Sequence, residues 1–84
     1  MIPQLPRPLK ITPLDDYKLD ITFKNNERRI FDVTPYLSKK YFAPLRSRGL
    51  FSTARANGHT VEWLNGIDIC PDELYSKSVP VGEE

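Results

Sequence analysis

The most constraining stretch of this chain is Tyr17-Lys18-Leu19-Asp20-Ile21-Thr22-Phe23-Lys24, in which apolar and polar residues alternate without interruption. A period of two is the mark of a half-buried β-strand, so Tyr17, Leu19, Ile21 and Phe23 are expected on the core face and Lys18, Asp20, Thr22 and Lys24 on the solvent face. Asn25-Asn26 turns the chain, Asn being the residue other than Gly that best tolerates a positive φ. The return strand, Arg28 to Val33, then decides the loop length. A two-residue loop sets Leu19 opposite Asp32, whereas a three-residue loop brings Phe31 and Val33 onto the face of Leu19 and Ile21. A slip of one residue would move every side chain to the other face, so the pattern selects the odd loop and leaves Ile30 outside.

The flanking segments add a plan around this hairpin. Residues 1–8, with Pro3, Pro6 and Pro8, read as an extended, loosely held arm. Leu9 to Thr12 is a short first strand that Pro13 stops by removing a ladder donor, and Asp15-Asp16 makes the turn. Thr34 as N-cap with Pro35 behind it opens a helical turn, and Phe42 to Arg48 is a second short helix with Pro44 in its first turn and Gly49 available to end it. Asn57-Gly58 is a strong hairpin signal; a two-residue turn there pairs Ala56 with His59, Ala54 with Val61 and Ser52 with Trp63, leaving Arg55 and Glu62 diagonal. A further turn at Asn65-Gly66 leads to Ile67-Asp68-Ile69. Pro71, Asp72 and Glu73 then start a helix that carries Leu74 and Tyr75 onto the sheet, with Cys70 or Asp68 in the capping neighbourhood, and Val79-Pro80 ends it. The expected fold is α+β: a small antiparallel sheet of two hairpins plus a short first strand, short connective helices, and a C-terminal helix packed on the sheet. One domain spans residues 9–79, and residues 80–84 form a frayed tail.

Eighty-four residues suffice for one small core and leave little room for a deep, dry cavity. Twelve Lys and Arg against eleven Asp and Glu give a formal charge of +1, which argues against a surface built to wrap duplex nucleic acid. The single Cys70 cannot form an intramolecular disulfide, which points to the cytoplasm, and no apolar stretch approaches the roughly 20 residues of a membrane span.

Each residue that invites chemistry also has a plainer explanation. His59 and Cys70 are the only members of their types and lack metal-ligand spacing, so no metal or other cofactor is expected. Asp15, Asp16 and Asp20 suit turns or a solvent face, whereas Asp32 and Asp68 sit between apolar neighbours near strand ends and are expected to accept backbone N–H bonds from the following turn. Trp63 is expected in the core. Lys39, Lys40, Arg46, Arg48 and Arg55 form the one concentration of positive charge and are the candidate partner-binding residues; no catalytic residue is assigned.

The order of elements then becomes recognisable: Phe31-Asp32-Val33, Tyr36-Leu37, Phe42, Leu45, Leu50-Phe51, and above all the run W-x-N-G-x-D-x-x-P-x-x-L-Y from Trp63 to Tyr75. From about Leu9 to Ser76 the chain resembles the bacterial family known as domain of unknown function 2442. In that family a turn such as Asp-Gly usually follows the second strand, where this chain has Asn25-Asn26. The resemblance implies a small α+β fold with antiparallel strands and no catalytic residues to carry over. It also implies a neighbouring small protein of the family domain of unknown function 4160, in an arrangement similar to a toxin and antitoxin pair.

The leading expectation is therefore a non-enzymatic module that binds a small basic or nucleic-acid-active protein, as an antitoxin-like component, through a free sheet edge. The alternatives are nucleic-acid binding through Lys39 to Arg55, and a small enzyme that uses Asp32 or Asp68.

Overall fold

The structure is a computed structural model that describes residues 5–81; the first residues of the expected arm and the last of the expected tail lie outside the described residues. It contains strands β1 (Pro8–Pro13), β2 (Lys18–Phe23) and β3 (Arg28–Asp32), 3-10 turns at Thr34–Tyr36 and Lys40–Arg46, and a short helix α1 (Arg48–Phe51). Strands β4 (Arg55–Ala56) and β5 (Val61–Glu62), helix α2 (Pro71–Ser76) and strand β6 (Val79–Pro80) follow. The strands form a four-stranded antiparallel sheet, in the order β1-β2-β3-β6, and a separate two-stranded sheet, β4-β5. The architecture is the expected α+β fold, with the two hairpins in different sheets.

The central hairpin has the register that the hydrophobic pattern selects. Leu19 lies opposite Phe31, and Phe23 N–H donates to Glu27 O at 2.8 Å, so the loop is Lys24-Asn25-Asn26. Its last residue, Asn26, takes the left-handed conformation with φ 68°, as a three-residue loop requires. The preceding hairpin repeats the device. Leu14 N–H donates to Lys18 O, which makes the loop Asp15-Asp16-Tyr17, and Tyr17 is left-handed with φ 61°. Tyr17 is therefore a loop residue rather than the first residue of the strand. A bulky side chain in this conformation is strained. Its neighbours hold it there: the hydroxyl donates to Arg46 O at 2.5 Å, and the ring meets Phe51 edge-on with centroids 5.1 Å apart.

The first strand begins one residue earlier than expected. Pro8 pairs with Phe23 and Lys10 with Thr22, so Leu9 is an extra, bulged residue that is 62% exposed. The bulge changes parity: Ile11 and Pro13 share the inner face, and Pro8 joins them, buried, only because one residue is skipped. Pro13 does not stop β1 but is its last residue, opposite Leu19. Since Leu14 N–H points at Lys18 O, the nitrogen of Pro13 points away from β2, where a missing donor leaves no ladder bond unmade.

Beneath the inner face of β2 and β3 the core is closed by residues from every later segment. Leu45, Phe51, Trp63 and Leu74 are almost fully buried there with Leu19, Ile21, Phe23, Phe31 and Val33. Trp63 is completely buried and its indole N–H donates to Phe51 O at 2.9 Å, so the ring gains the full benefit of burial without an unpaired donor. The Trp63 segment thus has the mechanical role read from its sequence.

The connections depart from expectation in detail. Val33 rather than Thr34 caps the turn at Thr34–Tyr36, and Pro44 lies within a 3-10 stretch. Gly49 is inside α1 instead of ending a helix; Ser47 caps that helix, its hydroxyl accepting from Leu50 N–H. In the second hairpin Arg55 pairs directly with Glu62 and Ala56 with Val61, two positions away from the expected register. The cause is the Asn57 side chain, whose Oδ1 accepts from both His59 N–H and Thr60 N–H. That arrangement moves the turn to Gly58-His59, with Gly58 at φ 95°.

The strand β6 was not anticipated. Arg29 fixes it in place: on the inner face of β3, opposite Ile21, its guanidinium donates to Ser78 Oγ at 2.7 Å, Ser78 O at 2.8 Å and Glu27 Oε1 at 2.9 Å while resting 4.5 Å from the centre of the Tyr75 ring. Tyr75 OH completes the loop of bonds by donating to Glu27 Oε2. These contacts draw residues 79–81 alongside β3, where Val81 N–H donates to Arg28 O. Pro80, the expected start of a frayed tail, is thus a strand residue opposite Arg29, with its nitrogen turned away from β3.

Two outcomes follow. Replacing Asn26 with Val puts a β-branched residue at φ 68° and should lower unfolding free energy by about 1–2 kcal/mol in urea titrations, with the slope unchanged. The bond from Tyr75, and then that from Arg29, hold the Glu27 carboxyl below its usual value of 4.5. Its stabilisation is therefore complete above that value and lost as the pH falls through the lowered one, and Glu27→Gln should flatten the acid limb of a plot of melting temperature against pH.

Candidate functional site

The carboxylates singled out in the sequence are dispersed. Asp15 lies 3.7 Å from Arg48 and Asp16 3.4 Å from Lys18. The Arg28 guanidinium donates from Nε and Nη2 to both oxygens of the Asp20 carboxylate, which holds its carboxyl below the usual range against a smaller opposing effect of burial. Asp32 Oδ1 accepts the Thr34 backbone N–H at 2.9 Å, as expected for a strand-end carboxylate. Asp68 is exposed and makes no such bond; its backbone instead bridges to Glu62. His59 and Cys70 are both exposed, the second at the N-cap of α2 without a side-chain capping bond. Among the described residues no cluster of three His, Cys, Asp or Glu side chains is suited to hold a metal ion.

The five basic candidates each have their own surroundings. Lys39 lies over the Tyr36 ring at 5.2 Å, Arg46 Nε donates to Leu37 O, Arg48 faces Asp15, and Arg55 lies 3.6 Å from Glu62. Lys40 is exposed at the start of its 3-10 turn. Of the five, Lys39 lines a cleft.

That cleft and a neighbouring shallow depression meet at Asp32 and Lys77. The first, about 280 Å³, is lined by Phe31, Asp32, Pro35, Tyr36, Lys39 and Lys77. The second, about 240 Å³, is lined by Lys18, Ile30, Asp32, Lys77 and Val79 and opens onto the outer face of the four-stranded sheet. The sheet register builds this face in rows. Lys18 lies opposite Asp32; Thr12, Asp20, Ile30 and Val79 follow one another across the strands; Lys10, Thr22 and Arg28 form the next row. Ile30 and Val79 therefore make an apolar pair at the β6 end of their row, between the rows that carry Lys18 with Asp32 and Lys10 with Arg28, and Val79 is 47% exposed.

Sequence reasoning reached only part of this site. Ile30 was recognisable as an apolar residue on a solvent face, but Lys77 and Val79 enter through β6, whose position depends on the bonds from Arg29 to Ser78. Tyr36 also acquires its role from tertiary contact. Its hydroxyl donates a hydrogen bond to the Glu73 carboxylate on α2, joining the first cleft to the C-terminal helix. This bond holds Glu73 below the usual carboxylate range, aided by the charges of Lys77 and Lys39 and opposed by burial.

Burial, and then the bond to Glu73, push the Tyr36 phenol up from 10.0 to about 12. The neutral phenol is the folded form's preference, so its contribution is intact below pH 10 and lost as the pH climbs through about 12. The bond that Tyr75 donates to Glu27, and then burial, raise its phenol as well, so an ultraviolet titration should show both tyrosines ionising late, and Glu73→Gln should move the Tyr36 step alone back toward 10.

Among the described residues no helix is long and apolar enough to cross a membrane. No curated protein and no solved structure matches the chain. Residues 8–80, however, match the family described as "Protein of unknown function (DUF2442)", a span that runs from the first residue of β1 to the last of β6. The chain therefore belongs to the DUF2442 family.

Proposed function

We propose that this chain is a non-enzymatic protein-interaction module whose partner sits on the outer face of the four-stranded sheet. The observation that carries the reading is the Ile30–Val79 pair, half-buried and exposed respectively, toward the β6 edge of a sheet face whose Lys10, Thr12, Arg28 and Asp32 are all exposed. A sheet buries its apolar residues against another layer, and here the second face has an apolar pair but none of the described elements packed upon it.

The mode of binding differs from strand addition. On β1 the nitrogen of Pro13 and on β6 that of Pro80 face outward, so each edge of the sheet lacks a donor that an added strand would require. The dispersed carboxylates support the non-enzymatic reading, since Asp32 lines both clefts while Asp15, Asp16 and Asp20 face separate cations. Nucleic-acid binding through Lys39, Lys40, Arg46, Arg48 and Arg55 has less support, because Arg48 and Arg55 face carboxylates and Arg46 is bonded to a carbonyl. The family resemblance supplies a form for the activity: an antitoxin-like cytoplasmic component whose partner belongs to the family domain of unknown function 4160.

The test is capture from the native host with the wild-type chain and with Val79→Asp, after checking that their melting temperatures agree within a few degrees. A partner retained by the wild type and lost by the variant is expected. Equal retention, or no partner at physiological concentration, would overturn the reading.

A further inference from the structure

We infer that residues 71–81, helix α2 together with strand β6, form a strap that opens as one unit while the rest of the fold stays closed. Opening removes Lys77 and Val79 from the outer sheet face, so the docking surface exists only in the closed form. That consequence rests on the interaction reading above; the opening itself does not.

The anchorage of the chain changes at Cys70. Just before it Ile67 and Ile69 are buried, Trp63 N–H donates to Ile67 O at 2.8 Å, and the Thr60 hydroxyl donates to Ile69 O at 2.6 Å. Cys70 itself is exposed and makes no side-chain capping bond. Beyond it the elements are too short to persist alone: α2 has six residues and β6 two, where an isolated helix needs roughly 12–15. Among the described residues, the large side chains that are fully buried outside the strap run from Leu19 to Trp63, and Leu74 is the strap's one contribution to that set. Opening therefore exposes a small part of the core, whereas global unfolding exposes all of it.

What holds the strap besides Leu74 is largely polar. Tyr36 OH donates to the Glu73 carboxylate, Tyr75 OH to Glu27 at 2.7 Å, and Arg29 to Ser78 Oγ at 2.7 Å and Ser78 O at 2.8 Å. In the opened form water takes the place of each lost partner, and Arg29 keeps its bond to Glu27, so no polar group is left buried and unpaired. The apolar loss is confined to Leu74 and to the Tyr75 ring, which leaves its edge-on contact with Phe23 at 5.1 Å. Arg29 and Ser78 lie on the inner side of the sheet, so the strap is held from one face while it displays Val79 on the other.

The experiment is native-state hydrogen exchange on the full chain, read amide by amide in increasing urea below the unfolding transition. Leu74, Lys77, Ser78 and Val81, whose N–H groups donate to the carbonyls of Cys70, Glu73, Tyr75 and Arg28, report the strap. Val33 and Trp63, bonded to Tyr17 and Ile67, report the body. The strap amides should share one protection factor, roughly a hundredfold below that of the body and with a shallower urea dependence. Ser78→Ala removes a tether that opening breaks, so it should lower both groups together by roughly tenfold. Phe51→Leu, whose ring meets Tyr17 and Trp63 within the body, should lower the body amides alone. A single protection factor for all of these amides, a strap that falls with the body in Phe51→Leu, or a strap indifferent to Ser78→Ala would overturn the inference. Should either variant fail to fold, the wild-type gap and its urea slopes decide the matter alone. The Val79→Asp capture judges the docking reading separately, so the two can fail independently.

Discussion

The register of the β2–β3 hairpin is the constraint on which the rest of the fold depends. With Leu19 opposite Phe31, the large apolar residues of both strands share one face, and every later segment has a surface to close upon. That register requires a three-residue loop, and the loop requires a left-handed residue at its end. Asn26 supplies it at modest cost; Tyr17 supplies it in the preceding hairpin at a greater one, offset by the bond to Arg46 and the packing on Phe51. The two loops are thus one solution realised with different chemistry. One is local, in an amide side chain that tolerates positive φ, and the other is tertiary, in a ring held from outside.

A second device closes the molecule. Arg29 points inward on β3, where an aliphatic residue would ordinarily be expected, and its three nitrogens donate to Glu27 and to the hydroxyl and carbonyl oxygens of Ser78. The side chain is only 13% exposed, so the guanidinium relies on these partners and on the Tyr75 ring in place of water. In satisfying them it brings β6 to the sheet, completes the four-stranded layer and places Val79 next to Ile30. Structure and candidate function meet here. The same bonds that tether the C-terminal segment also create the apolar pair of the outer face, while Pro13 and Pro80 each remove one donor from the sheet's edges.

The site was less legible than the fold, and the reason is one of range. Turn chemistry at Asp32, the burial of Trp63 and the outward position of Ile30 each follow from neighbours in sequence or from a simple alternation, and the structure agrees on all three. The second hairpin was harder, because the Asn57 side chain caps two backbone amides and displaces the turn by one residue, a choice that dipeptide statistics do not capture. The basic residues from Lys39 to Arg55 are close in sequence but have separate carboxylates, carbonyls and rings as neighbours. Lys18, Lys39 and Lys77, in contrast, are distant in sequence and line adjoining clefts.

Sequence alone determined the elements whose signal is periodic or local: the alternating strand, the odd loop, the apolar face and the proline-led helix at Pro71. Each depends on interactions within a few residues or on a pattern with a single low-energy arrangement. Tertiary structure alone decided that Pro8 turns inward through a bulge, that Tyr17 takes a strained loop position, and that Val79-Pro80 becomes a strand. In those cases the local preference is weak or opposed, and the outcome is set by partners far away in sequence: Phe23 for Pro8, Arg46 and Phe51 for Tyr17, and Arg29 for the C-terminal segment. Such contacts have no signature in the order of residues, because the energy that selects them appears only after the chain has closed.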